Sequence, residues 1–249
     1  MVLFLVLVIQ KKTHLIRHSS WRDIGHSALL GLLNPFLYYF VLLQAYNVLL
    51  AQEAAALNYI WPVVLTLLSI PLLKQKIGWI SMAAILISFV GTIIIATKGE
   101  PGSLKFENPL GVGLALGSAI FWSLFWIFNV RDHRDEVIKL FYNMVFGFLY
   151  TLIAALILGK LQTPHILGLA GSVYIGIFEM GITFVFWLKA LKLSETTAKV
   201  TNLIFIAPFL SLIIISFAVG ERIMGSTFIG LIFIMSGIAM QNLVANKKK

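Results

Sequence analysis

"AAALNYIWPVVLTLLSIPLLKQKI", Ala54 to Ile77, runs twenty residues without a charge before closing on Lys74 and Lys76. About twenty predominantly apolar residues is the length an α-helix needs to cross the hydrocarbon layer of a bilayer. The same pattern returns as "KVTNLIFIAPFLSLIIISFAVGERI", Lys199 to Ile223. Sliding one copy by 146 positions pairs Leu57 with Leu203, Pro62 with Pro208, Lys76 with Arg222, Ile77 with Ile223 and Gly91 with Gly237. Two prolines rarely align in mid-span by chance. Upstream the slide becomes 145 and pairs Gly31 with Gly176, Ala45 with Ala190 and Asn34 with Glu179. The chain therefore reads as a duplicated set of membrane helices.

Composition agrees with this. Of 249 residues, 59% are hydrophobic and 12% charged, about half the charged share of a soluble domain. Apolar runs between charged or turn-forming breaks predict eight spanning helices, near 26–50, 54–73, 77–97, 109–130, 137–159, 165–188, 196–219 and 223–243. The fold class is an all-α polytopic membrane protein. "MVLFLVLVIQ" is apolar for only ten residues before Lys11 and reads as the tail of a helix rather than a span. It is not a signal peptide either, since its charge follows the apolar run. "TKGEPGSLKFENP" is the longest break and joins two halves. The expected organisation is a first repeat over 1–100, a linker at 101–108, a second repeat over 109–243 and a basic tail at 244–249.

The formal net charge of +9 does not point to nucleic acid, because Lys and Arg sit in short breaks between apolar runs. Placing the C-terminus in the cytoplasm leaves fifteen Lys and Arg inside and four outside (Lys98, Lys105, Lys160 and Arg222), the positive-inside pattern. In that orientation helix 26–50 leaves the cytoplasm while helix 165–188 enters it. The copies are inverted, and inverted repeats place a substrate near mid-membrane where they meet.

Enzyme readings find no support in the sequence. There is no cysteine, no HExxH, no Gly-x-Ser-x-Gly elbow and no Walker motif, and His133, His26 and His165 lie in a loop or at helix ends. No cofactor and no metal site is expected. Movement of a substrate would be driven by a gradient or by exchange.

At Ala190–Met240 the residues carry a family likeness. The Ala-Leu-Lys helix exit, Pro208, the run Gly220, Glu221, Arg222, and Gly237 resemble the second EamA domain of the drug/metabolite transporter superfamily, and Ala45–Gly99 resembles the first. The resemblance implies ten helices in two inverted five-helix repeats, cytoplasmic ends, and export or exchange of small metabolites. Against that pattern the first helix and part of the second are missing, which a start codon assigned too far downstream would explain. "NYIWP", Asn58 to Pro62, is similar to the corresponding stretch of aromatic amino-acid exporters in the superfamily, and on that likeness Asn58, Tyr59 and Trp61 join the candidate site. The implied substrate is a small organic metabolite, with amino acids the first class to test. Proton coupling or exchange is expected, the cell membrane is the expected location, and a homodimer is a compatible assembly. The rival is a membrane component that does not transport, such as a receptor or partner subunit.

Glu179 is the chief site candidate. An unpaired charge at mid-bilayer costs at least about 2.5 kcal/mol, so a carboxylate there calls for a partner or a task. It could bind a substrate ammonium, carry a coupling proton, or bond a neighbouring helix. Gly176, Thr183 and Phe186 share its helix face, and Asn34 is its repeat counterpart. Pro35, Pro62 and Pro208 are expected to kink their helices and free the carbonyls of Gly31, Asn58 and Ile204. Ser118, Trp122, Phe125 and Asn129 share a face suited to a flat ligand. Packing is the alternative there, with Trp126 in an interfacial belt. Asn202, inside a span shortly before Pro208, is either cavity lining or a helix bridge, and Asn143, also inside a span, reads as a helix bridge.

Overall fold

The structure is a computed structural model that describes residues 2–49, 51–97, 99–100, 102, 108–161, 163, 165–207, 210 and 225–246. Among these residues all regular structure is helical. The main helices are α1 (Val2–Ile9), α2 (Trp21–Val48), α3 (Ala51–Asn58), α4 (Trp61–Leu73), α5 (Trp79–Ala96), α6 (Pro109–Arg131), α7 (Glu136–Ile157), α8 (Ile166–Leu193), α9 (Thr197–Leu203) and α10 (Gly225–Asn246). Of these, α2, α6, α7 and α8 are long and apolar enough to cross a membrane, and α4, α5, α9 with its extension to Ile206, and α10 are shorter apolar helices. These elements overlap the apolar runs read from the sequence, of which 196–219 lies only in part within the described residues.

The ends follow local chemistry. Helix α2 starts five residues before the expected position because Ser20 and Asp23 form a reciprocal capping box. Asp135 caps α7 through the amides of Val137 and Ile138. The expected kink at Pro62 is a full break. Helix α3 stops at Asn58, a turn holds Tyr59 and Ile60, and Pro62 falls in the first turn of α4, where a missing N–H leaves nothing unpaired. Helix α9 tightens to a 3-10 turn over Ile204–Ile206. Pro208, Glu221 and Arg222 lie outside the described residues.

The chain forms two compact units, and neither follows the linear order of the sequence. Unit 1 comprises Met1–Tyr39 and Phe128–Leu193; unit 2 comprises Phe40–Ile127 and Ser194–Lys249. Unit 1 draws one segment from before the 101–108 loop and one from after it, whereas the first segment of unit 2 runs through that loop.

In unit 1 the first part of α2 lies against α7 at glycine positions. A Cβ on Gly31 would stand 2.5 Å from the carbonyl oxygen of Asn143, and one on Gly147 would overlap the Pro35 ring. Helix α1 packs on α7 through Phe4 and Phe141 and on α8 through Val2 at Gly181, with Leu3 and Leu7 buried.

Unit 2 has a core of Val63, Ile85, Ile95, Ala198, Phe205, Ile234 and Ile238. Helices α5 and α10 meet through small residues. A Cβ on Gly91 would stand 2.5 Å from the Gly230 oxygen and 2.8 Å from Ile234, while one on Gly237 would collide with Ser88 and stand 2.5 Å from the Ala84 oxygen. Ser88 donates to the Ile234 carbonyl at 3.3 Å. Rising numbers on α5 meet falling numbers on α10, so the pair is antiparallel.

Candidate functional site

Unit 1 holds two departures from regular α-helix, a kink within Leu32–Leu37 of α2, where the backbone of Asn34 is extended, and a π-helical stretch at Ile175–Thr183 of α8. Single π-helical turns recur at functional sites because the extra residue re-aims side chains. Asn34 sits in the first and Glu179 in the second, and the 145-position slide that pairs these residues superposes the two stretches. Glu179 is thirteen residues from Ile166 and fourteen from Leu193, the middle of a helix long enough to span.

Its carboxylate is partnered. The Tyr39 hydroxyl donates to Glu179 Oε1 at 2.8 Å. Tyr39 is half-buried and packs edge-on against Tyr38 at 4.8 Å, whereas Glu179 keeps an exposed side chain. The carboxyl therefore has one fixed hydrogen bond and an open flank. Thr183, one turn on, is also exposed. Asn34 is fully buried, its backbone is extended (φ −150°, ψ 125°), and neither side-chain polar atom has a hydrogen-bond partner among the described residues. A buried amide in that condition is costly, roughly 1–3 kcal/mol.

In unit 2 the remaining candidates gather at the α3/α4 break. Asn58 donates to Ser118 Oγ at 3.0 Å, and Ser123 of α6 donates to the Trp61 carbonyl at 3.2 Å. The rings of Trp61 and Trp122 meet edge-on at 5.9 Å, Trp122 and Trp126 at 5.7 Å, and Phe125 and Trp126 at 4.9 Å. Phe125 and Trp126 are wholly buried and Trp61 nearly so. Trp126 is thus part of the core and not of an interfacial belt. Asn58, Tyr59 and Trp122 are half-buried. Asn202 is 1% exposed, and its amide also lacks a partner among the described residues. Asn143 bridges helices as the packing alternative had it, donating to Asn129 Oδ1 at 3.0 Å.

Sequence reasoning assigned the cations around 131–139 to a solvated cytoplasmic break. In the structure they form a network at that end of unit 1. Lys139 is fully buried, and its ammonium donates to the carbonyls of Asn129 at 2.6 Å and Asp132 at 2.8 Å, satisfying the free C-terminal carbonyls of α6. Lys192 pairs with Glu136 at 2.9 Å. Arg134 holds Asp132 at 2.6 Å and bonds Ser27 at 2.9 Å, and Lys12 holds Asp135 at 2.6 Å. A cavity of about 330 Å³ beside this network is lined by His26, Phe128, Arg131 and Asp132.

Burial pushes the Asp132 carboxyl up, but the hydrogen bonds and charge of Arg134 outweigh it and hold it below the ordinary carboxylate range. At Asp135 burial is likewise outweighed, there by Lys12 and the cap amides. Both folded values lie below the unfolded ones, so the stabilisation is complete above the unfolded value of about 3.9 and is lost as pH falls through the folded value. Thermal unfolding of the detergent-solubilised chain is expected to show no contribution from these groups to any change between pH 5 and 8, and a loss below about pH 4. An Arg134→Gln variant should lose less on acidification; an unchanged acid limb would refute the assignment.

Comparison with known proteins bears on what this arrangement serves. The model of the EamA-like transporter family matches residues 1–97 and 109–243. A protein of Clostridium kluyveri described as an uncharacterized transporter is 29% identical over 235 residues, covering 91% of this chain and 74% of the relative. The uncharacterized transporter YvbV of Bacillus subtilis is 24% identical over 255 residues, covering 99% of this chain and 80% of the relative. A crystal structure superposes with a TM-score of 0.82 at 22% identity, covering 99% of this chain and 83% of the other, which shows a shared fold. The two matched segments take in nearly all of the sequence, and the chain belongs to the EamA-like transporter family of integral, multi-pass membrane proteins.

Proposed function

We propose that this chain exports or exchanges a small organic metabolite that carries an amine, amino acids being the first class to test, and that Glu179 is the residue on which the cycle turns. The observation that supports this most is the Tyr39–Glu179 hydrogen bond of 2.8 Å at the middle of a spanning helix. One oxygen is held by a phenol while the side chain stays open, which suits a group that alternately takes and releases a cation, either a substrate ammonium or a proton. A carboxyl serving only as a helix bridge would have no use for the open flank.

The cycle is alternating access by two inverted repeats, 1–100 and 109–243, with the C-terminus in the cytoplasm. The α5/α10 contact supports that symmetry. A slide of 146 exchanges Gly91 with Gly237, Ala84 with Gly230 and Ser88 with Ile234. The contact of Gly91 with Gly230 and Ile234 thereby becomes the contact of Gly237 with Ala84 and Ser88, and both occur. Self-complementary contacts between antiparallel partners are what a two-fold axis in the membrane plane produces.

In unit 1 Asn34 and Thr183 are assigned with Glu179 to the site, and in unit 2 Asn58, Tyr59 and Trp122 are kept as a separate candidate group. Trp61 and Phe125 shape that group from behind. Asn202 offers a buried amide next to the α9 turn.

The test is expression of the chain in cells with mass spectrometry of the medium, beside Glu179→Gln. At least one amine-bearing metabolite should accumulate outside with the wild type and not with the variant. A profile equal to that of cells carrying no chain would refute the proposal and favour a component that does not transport.

A further inference from the structure

In unit 2 the Lys-flanked end of α4 and the start of α9 meet through polar side chains. Lys74 closes α4 in the left-handed conformation and returns its N–H to the Ser69 carbonyl. That turn presents Gln75, whose Oε1 accepts the backbone N–H of Thr197 at 3.0 Å and lies 3.1 Å from Thr197 Oγ1. The same Thr197 hydroxyl is 2.9 Å from Ser69 Oγ, and Ser69 donates to the Thr66 carbonyl at 2.7 Å. One turn deeper, Thr66 and Thr201 join hydroxyl to hydroxyl at 3.1 Å. Thr196, the N-cap of α9, makes no side-chain cap bond, so Gln75 serves that end from the turn after α4.

Two features set this contact apart from fixed packing. First, Ser69, Thr66, Thr197 and Thr201 are fully buried, yet hydrogen bonds between hydroxyls and an amide join them, and water can replace each bond when the ends part. The α5/α10 contact is the opposite case, with backbones so close that a single Cβ does not fit. Second, both partners are segmented just beyond the contact. Helix α4 begins after the Tyr59–Ile60 turn, and α9 passes into the 3-10 turn at Ile204–Ile206, so each short helix can swing as a rigid piece about its break.

From this we infer that Gln75, Ser69 and Thr197 form a latch that closes the Lys-flanked end of unit 2 and opens during the transport cycle. They are positioning residues and touch no ligand. The inference rests on the transporter reading for its purpose, but its test reads opening directly.

The chain has no cysteine, so introduced thiols meet no background. Ser69→Cys is labelled with N-ethylmaleimide in native membrane vesicles. The thiol should react slowly, and Gln75→Ala or Thr197→Val should raise the rate about tenfold by removing one or two buried hydrogen bonds, whereas Thr197→Ser should leave it unchanged. Labelling confined to denatured protein in every variant would overturn the latch and say nothing against transport. Should Thr197→Val fail to fold, Ser69→Cys/Thr197→Cys gives the second reading. Its sulfurs replace oxygens 2.9 Å apart, within easy reach of a disulfide. Oxidation should block both labelling and release of an amino-acid mixture from proteoliposomes, and reductant should restore both. Equal release from oxidised and reduced protein would overturn the latch, and no release from either would count against the transporter reading alone.

Discussion

Glu179→Gln is expected to cut metabolite flux roughly ten- to hundredfold, while the protein still folds and reaches the membrane. Hydrogen bonds to a charged group are worth about 1.5–3 kcal/mol, and each 1.4 kcal/mol is a factor of ten. Glutamine keeps the size and can still accept from Tyr39, so the bond at 2.8 Å survives and only the charge is lost. The kinetic form of the loss identifies the cation. If the carboxylate meets a substrate ammonium, KM rises and the pH profile keeps its shape. If it carries a proton, the pH dependence flattens and exchange without net proton movement persists. Tyr39→Phe removes the positioning phenol and leaves the charge, so a loss of several-fold is expected, about what one neutral hydrogen bond supplies. Full activity of Glu179→Gln at every pH would leave the residue a structural bridge.

The second large effect lies at the α5/α10 contact. Gly91→Leu or Gly237→Leu should abolish most folded protein, because a Cβ at either position already meets the partner backbone at 2.5 Å. Overpacking costs are commonly about 1–3 kcal/mol, and backbone-to-backbone contact leaves no flexible atom to yield, so about 3 kcal/mol or more is expected. Symmetry sharpens the test. Gly91→Ala and Gly237→Ala should be similar in cost, and their combination should cost less than the sum, since the first forces the helices apart and relieves the second. Thermal unfolding and yield by size-exclusion chromatography measure both. Additive or very unequal costs would count against the two-fold relation.

The sequence displayed the apolar segments, because a span has a fixed length and the breaks carry charge. It displayed Glu179 for the same reason, as a carboxylate in an apolar run with an amide as its repeat counterpart. Tyr39 was not legible. An aromatic residue in a span is ordinary, and its bond to Glu179 joins positions 140 residues apart. Lys139 read as one more cytoplasmic cation, and only the meeting of α6 with α7 shows it buried beneath two carbonyls. Trp126 read as interfacial because indoles favour that zone, but Trp122 and Phe125 enclose it. Pro62 was recognised as a disruption, and the residues around it could not distinguish a bend from an interruption. Gln75 was invisible for a related reason: a glutamine after a helix is solvent-facing by default, and its partner lies 122 positions on.

The central claim is that this chain moves a small organic molecule through a path controlled by Glu179. Release from liposomes tests it most directly, with vesicles loaded with an amino-acid mixture and carrying the purified chain, Glu179→Gln, or no protein. Wild-type vesicles should release a subset of the mixture faster than the other two, at a rate that depends on an imposed pH gradient or on amino acid outside. Identical release from all three preparations would contradict the claim.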